Sequence, residues 1–148
     1  LGSHGGITLG KDGPTQMGIE DFALVGGLPT MTMVVPSDPG MMMVAVKAVT
    51  DFVGPVWLRS SRVAMPHIYP EGKVPFRIGK ANTVREGKDL TIIANGIMVA
   101  SALDAAVMLS EKGIQVRILD FHTLRPMDLE AIEKAARETG APGESSRC

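Results

Sequence analysis

Short apolar and β-branched runs alternate along this chain with longer segments in which apolar residues recur at helical spacing. Such alternation is typical of parallel strands joined by crossover helices, and it predicts an α/β fold. The runs with the length and residue types of strands cover residues 7–9, 31–35, 56–59, 90–94 and 114–119. They fall into two groups, so we expect two blocks, each built on a parallel sheet.

The first block has two predicted helices. One begins near Thr15 and ends where Gly26, Gly27 and Pro29 interrupt the pattern. The other begins after Pro36-Ser37-Asp38-Pro39, where Ser37 or Asp38 can cap the helix and Pro39 suits its first turn. We expect this second helix to end near Phe52.

Residues 63–80 contain several prolines and Gly72, and this composition predicts an irregular connector between the blocks. The second block then has predicted helices over residues 96–112 and 128–138. The first of these places four apolar residues on one face, as a helix packed on a sheet requires: Val99, Leu103, Ala106 and Leu109.

Composition excludes several classes of function. A net charge of -1, with no basic stretch interleaved with aromatic residues, makes nucleic-acid binding a poor hypothesis. The apolar run at residues 41–46 is far too short to span a bilayer, so no membrane segment is expected.

The one cysteine, Cys148, has no partner within the chain, which excludes a disulfide scaffold and favours a reducing compartment such as the cytoplasm. His4, His67 and His122 lack the spacing of metal ligands. The start at Leu1 has no secretory leader and resembles a cut. Residues 141–148 are polar and unpatterned, and we expect a disordered tail there.

Polar side chains that could bind a ligand concentrate near the start of the chain. His4, Asp12 and Gln16 flank a predicted strand and the turn that follows it, where open α/β sheets usually bind their ligands. The alternative is structural, with Asp12-Gly13-Pro14 as a tight turn and His4 as a solvated loop residue. No phosphate-loop glycine pattern is present.

A second group lies at the end of the strand at residues 56–59. Arg59 and Arg62 would both reach the same edge, and a guanidinium group matches two phosphate oxygens. The alternative is a solvated pair, or one arginine that fixes a loop carbonyl. His122 and the ten methionines are better explained as a satisfied loop residue and as core filling.

Taken together, these segments resemble the later part of a transketolase. The string at residues 3–17, which reads SHGGITLGKDGPTQM, with Glu20 and Asp21 after it, resembles the substrate-binding segment of that family. Other matches follow in the same order along residues 1–140: Pro29, Pro36-Ser37-Asp38, Gly54-Pro55, Arg59-Ser60-Ser61-Arg62, Ile78-Gly79-Lys80-Ala81, Glu86-Gly87 and Thr123-Leu124-Arg125-Pro126-Met127-Asp128.

The resemblance implies two Rossmann-like blocks: a partial pyrimidine-binding domain at residues 1–75 and a partial C-terminal domain at residues 76–140. Transketolases use thiamine diphosphate and a divalent metal, magnesium, to transfer a two-carbon ketol unit between sugar phosphates in the pentose phosphate pathway. Their sites lie between two subunits, which implies a homodimer or assembly with the N-terminal half.

The resemblance also implies roles for four residues in substrate binding. Arg62 would bind the substrate phosphate, and His4 would contact the donor or acceptor sugar. Asp12 would accept hydrogen bonds from sugar hydroxyls, and Gln16 would lie near the reacting carbons. Many members have a histidine where Gln16 stands. An amide cannot shuttle a proton, so we expect proton transfer to fall to the cofactor's aminopyrimidine or to histidines outside the chain.

In the family, the glutamate that activates the cofactor lies upstream of this stretch, and the diphosphate and metal ligands belong to another domain. We therefore expect no catalytic residue, metal ligand or identifiable cofactor ligand in these 148 residues. We expect the isolated chain to be inactive and to bind thiamine diphosphate weakly.

Two other families with the same architecture stay open at this point. Deoxyxylulose phosphate synthases share the Asp12-Gly13-Pro14-Thr15 turn, and beta subunits of 2-oxo acid dehydrogenases share the style of the later motifs. Gln16-Met17 and Arg59-Ser60-Ser61-Arg62 favour transketolase over both. The alternative from another class is a non-catalytic dimerisation module.

Overall fold

The computed structural model of the chain describes residues 1–70 and 73–139, and the tail predicted at 141–148 lies outside them. The α/β prediction is confirmed: helices and strands alternate around two sheets. The helices are α1 (Asp21–Gly26), α2 (Pro39–Thr50), α3 (Met98–Ser110) and α4 (Leu129–Glu138). The strands are β1 (Thr32–Val34), β2 (Val56–Leu58), β3 (Asn82–Arg85), β4 (Leu90–Ala94), β5 (Val116–Asp120) and β6 (Thr123–Arg125).

The first sheet has the strand order β2-β1-β6. Strands β1 and β2 are parallel, as predicted, and helix α2 connects them. Helix α2 buries Met41 and Ala45, and Ala45 packs with Val34 and Leu58 in the core of this sheet. Strand β6, from the later part of the chain, pairs with β1 in the antiparallel direction. The first sheet is therefore completed by a strand of the second block.

The second sheet has the order β3-β5-β4, with β4 parallel and β3 antiparallel to β5. Helix α3 covers it with the predicted face: Val99 and Ala106 are fully buried, and Leu103 and Leu109 are partly buried against the same core. Val116 and Ile118 of β5 are fully buried opposite them.

The parallel pairs were predicted, whereas the antiparallel strands β3 and β6 were not. Strand β3 reads NTVR and β6 reads TLR, so neither forms the apolar run that predicted β1 and β2. Each sheet is consequently mixed, rather than parallel throughout.

The predicted strand at residues 7–9 is wrong. Ile7 is exposed in a turn, and three nearby glycines adopt left-handed φ angles that break an extended run: Gly6, Gly10 and Gly13. The predicted helix start near Thr15 is also wrong, because a short 3-10 turn occupies Pro14–Gln16 and helix α1 begins only at Asp21.

The described part of the predicted connector, residues 63–70 and 73–80, has no helix or strand, as expected. It nevertheless packs on both cores, with Ile68 against the second and Phe76 against the first. Asp38 fixes it further, because Asp38 Oδ2 accepts the backbone N–H groups of Ile68 (2.9 Å) and Tyr69 (3.0 Å).

Within residues 1–70 and 73–139, no helix has both the length and the apolar character needed to cross a membrane.

Candidate functional site

The segment before helix α1 folds back on itself beside the end of strand β2. Gly2 N–H donates to the Leu58 carbonyl (2.8 Å), and Ser60 N–H donates to the Gly2 carbonyl (2.7 Å). Gly6 N–H donates to Gly18 (2.9 Å) and Gly18 N–H to His4 (3.0 Å). These last two bonds close the neck of a loop, residues 5–18, which we call the polar loop.

His4 stands at the entrance to the polar loop in an uncommon backbone conformation. Its φ angle is 64°, in the left-handed region that few residues other than glycine adopt. Its Nδ1 atom lies 2.7 Å from Ser3 Oγ, and the side chain remains partly exposed. Backbone strain of this kind often accompanies a side chain with a functional role.

Asp12 and Arg62 meet across the polar loop. Arg62 Nε lies 3.2 Å from Asp12 Oδ2, and the side chains are 54% and 36% exposed, respectively. The turn at Gly10–Asp12 is followed by Gly13, whose φ angle of 78° requires glycine. More than half of the Arg62 side chain is exposed, so an anionic ligand can reach it beside Asp12.

The structure thus brings together two of the four predicted site residues directly. His4 and Gln16 belong to the same looped segment, and Gln16 is exposed at the end of its 3-10 turn. Over residues 1–70 and 73–139, no hydrogen bond joins either of these two side chains to Asp12 or Arg62.

Arg59 differs from Arg62, although the sequence suggested that both would reach one edge. Arg59 Nε donates to Asp21 Oδ2 at 2.6 Å, and both side chains are only 16% exposed. Its guanidinium group lies 4.2 Å from the centre of the Phe22 ring and donates to the Gly18 carbonyl at 3.4 Å. Arg59 therefore fixes a loop carbonyl, the alternative that the sequence left open.

A polar cluster lies where the two sheets meet, and the sequence did not predict it. Asp120 Oδ2 accepts hydrogen bonds from Ser37 Oγ (2.5 Å) and Tyr69 OH (2.7 Å). Asn82 Nδ2 donates to Tyr69 OH at 3.2 Å. Burial raises the pKa of Asp120 to about 6, against the lowering effect of these hydrogen bonds. Burial and the nearby Asp120 also raise the pKa of the Tyr69 phenol. No single residue signals this cluster, because its members come from distant segments.

His122 lies beside this cluster and is fully buried. Its ring packs on Phe76 with centroids 4.6 Å apart, and Nδ1 lies 3.1 Å from Thr123 Oγ1. Burial lowers the pKa of His122 to about 4, so the ring is neutral at physiological pH. His122 lies in the loop between β5 and β6, as predicted, but its buried Nε2 has no hydrogen-bond partner within the described residues, so the prediction of a satisfied residue is wrong for that atom.

The part of the chain that the structure describes has no group of three or more His, Cys, Asp or Glu side chains positioned to hold a metal ion. The residues present therefore do not fit a complete magnesium site.

Two mixed sheets with a polar loop at the end of a parallel strand are typical of parts of multidomain α/β enzymes. Two family models match the chain: the transketolase pyrimidine binding domain over residues 1–67 and the transketolase C-terminal domain over residues 79–141. The chain belongs to the transketolase family, whose members depend on thiamine diphosphate.

Similar proteins and solved structures indicate the same family. The chain is 44% identical over 140 residues to a subunit of the apulose-4-phosphate transketolase of Phocaeicola vulgatus, covering 95% of this chain and 45% of the relative. It is 40% identical to the 6-deoxy-6-sulfo-D-fructose transketolase subunit SqwH of a Clostridium species, covering 95% of this chain and 44% of the relative.

Among solved structures, one titled split gene transketolase, inactive beta4 tetramer, superposes with a TM-score of 0.84 at 38% identity. The match covers 93% of this chain and 43% of that chain. The chain thus spans less than half the length of these relatives.

Proposed function

We propose that this chain forms the sugar-phosphate-binding part of a transketolase that transfers a two-carbon ketol unit between sugar phosphates, as in the pentose phosphate pathway. The observation that carries the proposal is the pair formed by Asp12 of the polar loop and Arg62, which follows strand β2. It combines an exposed guanidinium group with a carboxylate, the two groups that a phosphorylated polyol needs.

Each residue of the proposed site has a distinct role. Arg62 binds the phosphate with its terminal nitrogens, while Asp12 orients the guanidinium group and accepts hydrogen bonds from sugar hydroxyls. His4 contacts the sugar from the neck of the loop. Gln16 can orient a hydroxyl or carbonyl group near the reacting carbons, but its amide cannot carry a proton.

When bound in the completed enzyme, thiamine diphosphate would supply the carbanion chemistry of the transfer, with magnesium as the accompanying divalent metal. The activating glutamate and the metal ligands come from parts of the assembled enzyme outside these residues. The resemblance of the chain to a beta4 tetramer described as inactive supports this division. We propose that a complete site requires a partner subunit or the N-terminal half, and a homodimer of the completed unit.

The isolated 148-residue chain should lack transketolase activity and bind thiamine diphosphate only weakly. Isothermal titration calorimetry of the chain with thiamine diphosphate and magnesium measures this directly. Micromolar affinity would contradict the proposal that the ligands lie elsewhere.

Replacing Arg62 with Gln in the assembled enzyme tests the phosphate role. The loss of a charged hydrogen-bond donor costs on the order of 1.5–3 kcal/mol, so KM for a phosphorylated acceptor should rise about 10- to 100-fold. KM for an unphosphorylated acceptor should change little.

Arg77→Gln is the matched control, because Arg77 is exposed in the connector and lies outside the polar loop. An equal KM increase for both acceptors in Arg62→Gln would contradict phosphate binding. A sugar sulfonate should be tested beside the phosphate, since one relative is named for a sulfo sugar.

Gln16→His tests the role of the amide. We expect no severalfold gain in turnover and no shift of the pH profile, because proton transfer is assigned to other groups. A gain accompanied by a new ionisation in the profile would contradict that assignment.

A coupled assay with xylulose phosphate and ribose phosphate tests the reaction itself. Turnover with this pair supports transketolase, whereas the substrates of deoxyxylulose phosphate synthase or of a 2-oxo acid dehydrogenase would support those alternatives. Inactivity of the assembled protein with all three substrate sets would favour the non-catalytic dimerisation module.

We further propose that the protein works in the reducing environment of the cytoplasm, because its sequence has one cysteine and so cannot form an internal disulfide. Fractionation of cells with an antibody to the chain tests this location.

A further inference from the structure

Arg59 inserts its guanidinium group at the neck of the polar loop, where the loop enters and leaves. On the leaving side it donates to the carbonyl of Gly18 at 3.4 Å and to both carboxylate oxygens of Asp21, at 2.6 and 3.4 Å. On the entering side it lies against Gly5. A single side chain thus contacts both ends of the loop that carries Asp12.

The contact with Gly5 is too close for any side chain. A Cβ atom on Gly5 would overlap both Cζ and Nε of Arg59, well inside van der Waals contact. Gly5 and Gly18 form a β-bridge at this point, and Phe22 packs on the guanidinium group. The neck is therefore built around the guanidinium plane.

The guanidinium group of Arg59 already forms an ion pair with a carboxylate of the same chain. Its side chain is 16% exposed and paired with Asp21, whereas the Arg62 side chain is 54% exposed. Arg59 is thus poorly placed to bind substrate itself. Both arginines lie in the four residues after strand β2, and Ser60 between them donates its N–H to the Gly2 carbonyl.

We propose that Arg59 is a positioning residue that fixes the neck of the polar loop and so sets the position of Asp12 relative to Arg62. This inference rests on the proposed function, in that the loop binds a sugar phosphate. Residues 59–62 thus supply both Arg62, which binds the phosphate, and Arg59, which orders the polar loop. A displacement of the neck residues would therefore change the distance between Asp12 and Arg62.

The test replaces Arg59 with Met or Lys in the assembled enzyme. Met keeps much of the side-chain volume without the donors, and Lys keeps the charge without the planar fork. We expect KM for the phosphorylated sugar to rise roughly 10-fold in Arg59→Met and less in Arg59→Lys, with kcat changed less than about 3-fold. Arg77→Met, in the exposed connector, is the control and should match the wild type.

A double-mutant cycle separates positioning from a general structural effect. If Arg59 acts by placing Asp12, Arg59→Met should add little to the KM of an Asp12→Asn enzyme. Fully multiplicative effects of the two substitutions would overturn the proposal.

Hydrogen exchange gives a readout that does not depend on activity. In Arg59→Met the amides of Gly6 and Gly18 should exchange at least about 10-fold faster, while amides of strands β4 and β5 keep their protection. Unchanged exchange at the neck would overturn the proposal. Faster exchange at the neck in Arg59→Met, together with no transketolase activity in the assembled wild-type enzyme, would support the positioning role of Arg59 and refute the proposed function instead.

Should Arg59→Met lose protection throughout the chain, Asp21→Asn provides the second variant. This variant keeps Arg59 and weakens only its interaction with residue 21. Amide hydrogen exchange should therefore become faster at Gly6 and Gly18 alone. Protection equal to that of the wild type at both amides would overturn the proposal.

Discussion

Asp120 and His122 are two residues apart in one buried segment and respond to pH in opposite senses. Burial raises the pKa of Asp120 to about 6 in the folded chain, whereas the ordinary pKa is 3.8. Between these values the folded state binds more protons, so a rise in pH lowers the free energy of unfolding. Burial lowers the pKa of His122 to about 4, against an ordinary value of 6.5, so a rise in pH increases that free energy.

The two effects should largely cancel between about pH 4 and 6 in the wild type. Each is on the order of 3 kcal/mol at full extent. Relative to the wild type, Asp120→Asn should become more stable as pH rises through this window, and His122→Gln should become less stable. Urea unfolding at several pH values measures both differences. Parallel pH profiles for the three proteins would contradict the opposed titrations.

The polar loop shows what residue patterns can and cannot predict. The resemblance implies one substrate-binding group: His4, Asp12 and Gln16 from the string SHGGITLGKDGPTQM, and Arg62 from Arg59-Ser60-Ser61-Arg62. It could not show that Asp12 pairs with Arg62 while Arg59 pairs with Asp21. That choice depends on how strand β2 places the two arginines against the loop, which is a tertiary property.

At the scale of elements, two helices are capped by an aspartate whose side chain also accepts backbone N–H groups from a distant segment. Asp38 caps helix α2 through Met41 N–H (2.6 Å) and binds two connector amides. Asp128 caps helix α4 through Ala131 N–H (3.2 Å) and accepts Ala81 N–H (3.0 Å). Each cap thus joins a helix start to a separate segment.

Asp38→Ala should therefore cost more than an ordinary cap. It removes the acceptor for three backbone N–H groups, and we expect a loss of about 3 kcal/mol or more in the free energy of unfolding. Asp51→Ala, at the exposed far end of the same helix, should change it by less than about 0.5 kcal/mol. Equal effects in the two variants, measured by denaturant unfolding, would contradict the double role.

Elements with strong periodicity were predicted from the sequence, as were the short apolar strands β1 and β2, whereas β3 and β6 were not. Helix α3 and the parallel pair β4 and β5 followed from apolar spacing. Strand β6 was missed because three residues before a proline carry no visible pattern, and its pairing with β1 depends on a distant partner. The strand predicted at 7–9 failed because local apolar residues cannot reveal the left-handed glycines around them.

At the scale of the whole molecule, the two sheets share chain segments. Strand β6 pairs with β1, Val35 N–H donates to the His122 carbonyl (2.8 Å), and Ser37 donates to Asp120. The connector packs on both cores through Ile68 and Phe76. The parts of the chain before and after the connector therefore stabilise each other, and we expect them to fold together.

A chain of residues 1–78 should fail to fold, because it leaves β1 without one neighbour and Ser37 and Val35 without their partners. A chain of residues 1–139 keeps both sheets and should unfold in one transition. Amide dispersion in two-dimensional NMR spectra distinguishes the two outcomes. Well-dispersed signals from residues 1–78 would show that the first sheet stands alone.

The shared strand also restricts where a gene for such an enzyme can be divided. A break between the two family regions, after residue 67 and before residue 79, would place β1 and β6 on different polypeptides. The two polypeptides would have to associate before the first sheet could gain β6, whereas the second sheet, β3-β5-β4, lies wholly on the later one. The apulose-4-phosphate transketolase relative, itself named as a subunit, aligns with this chain over 140 residues and thus across both regions.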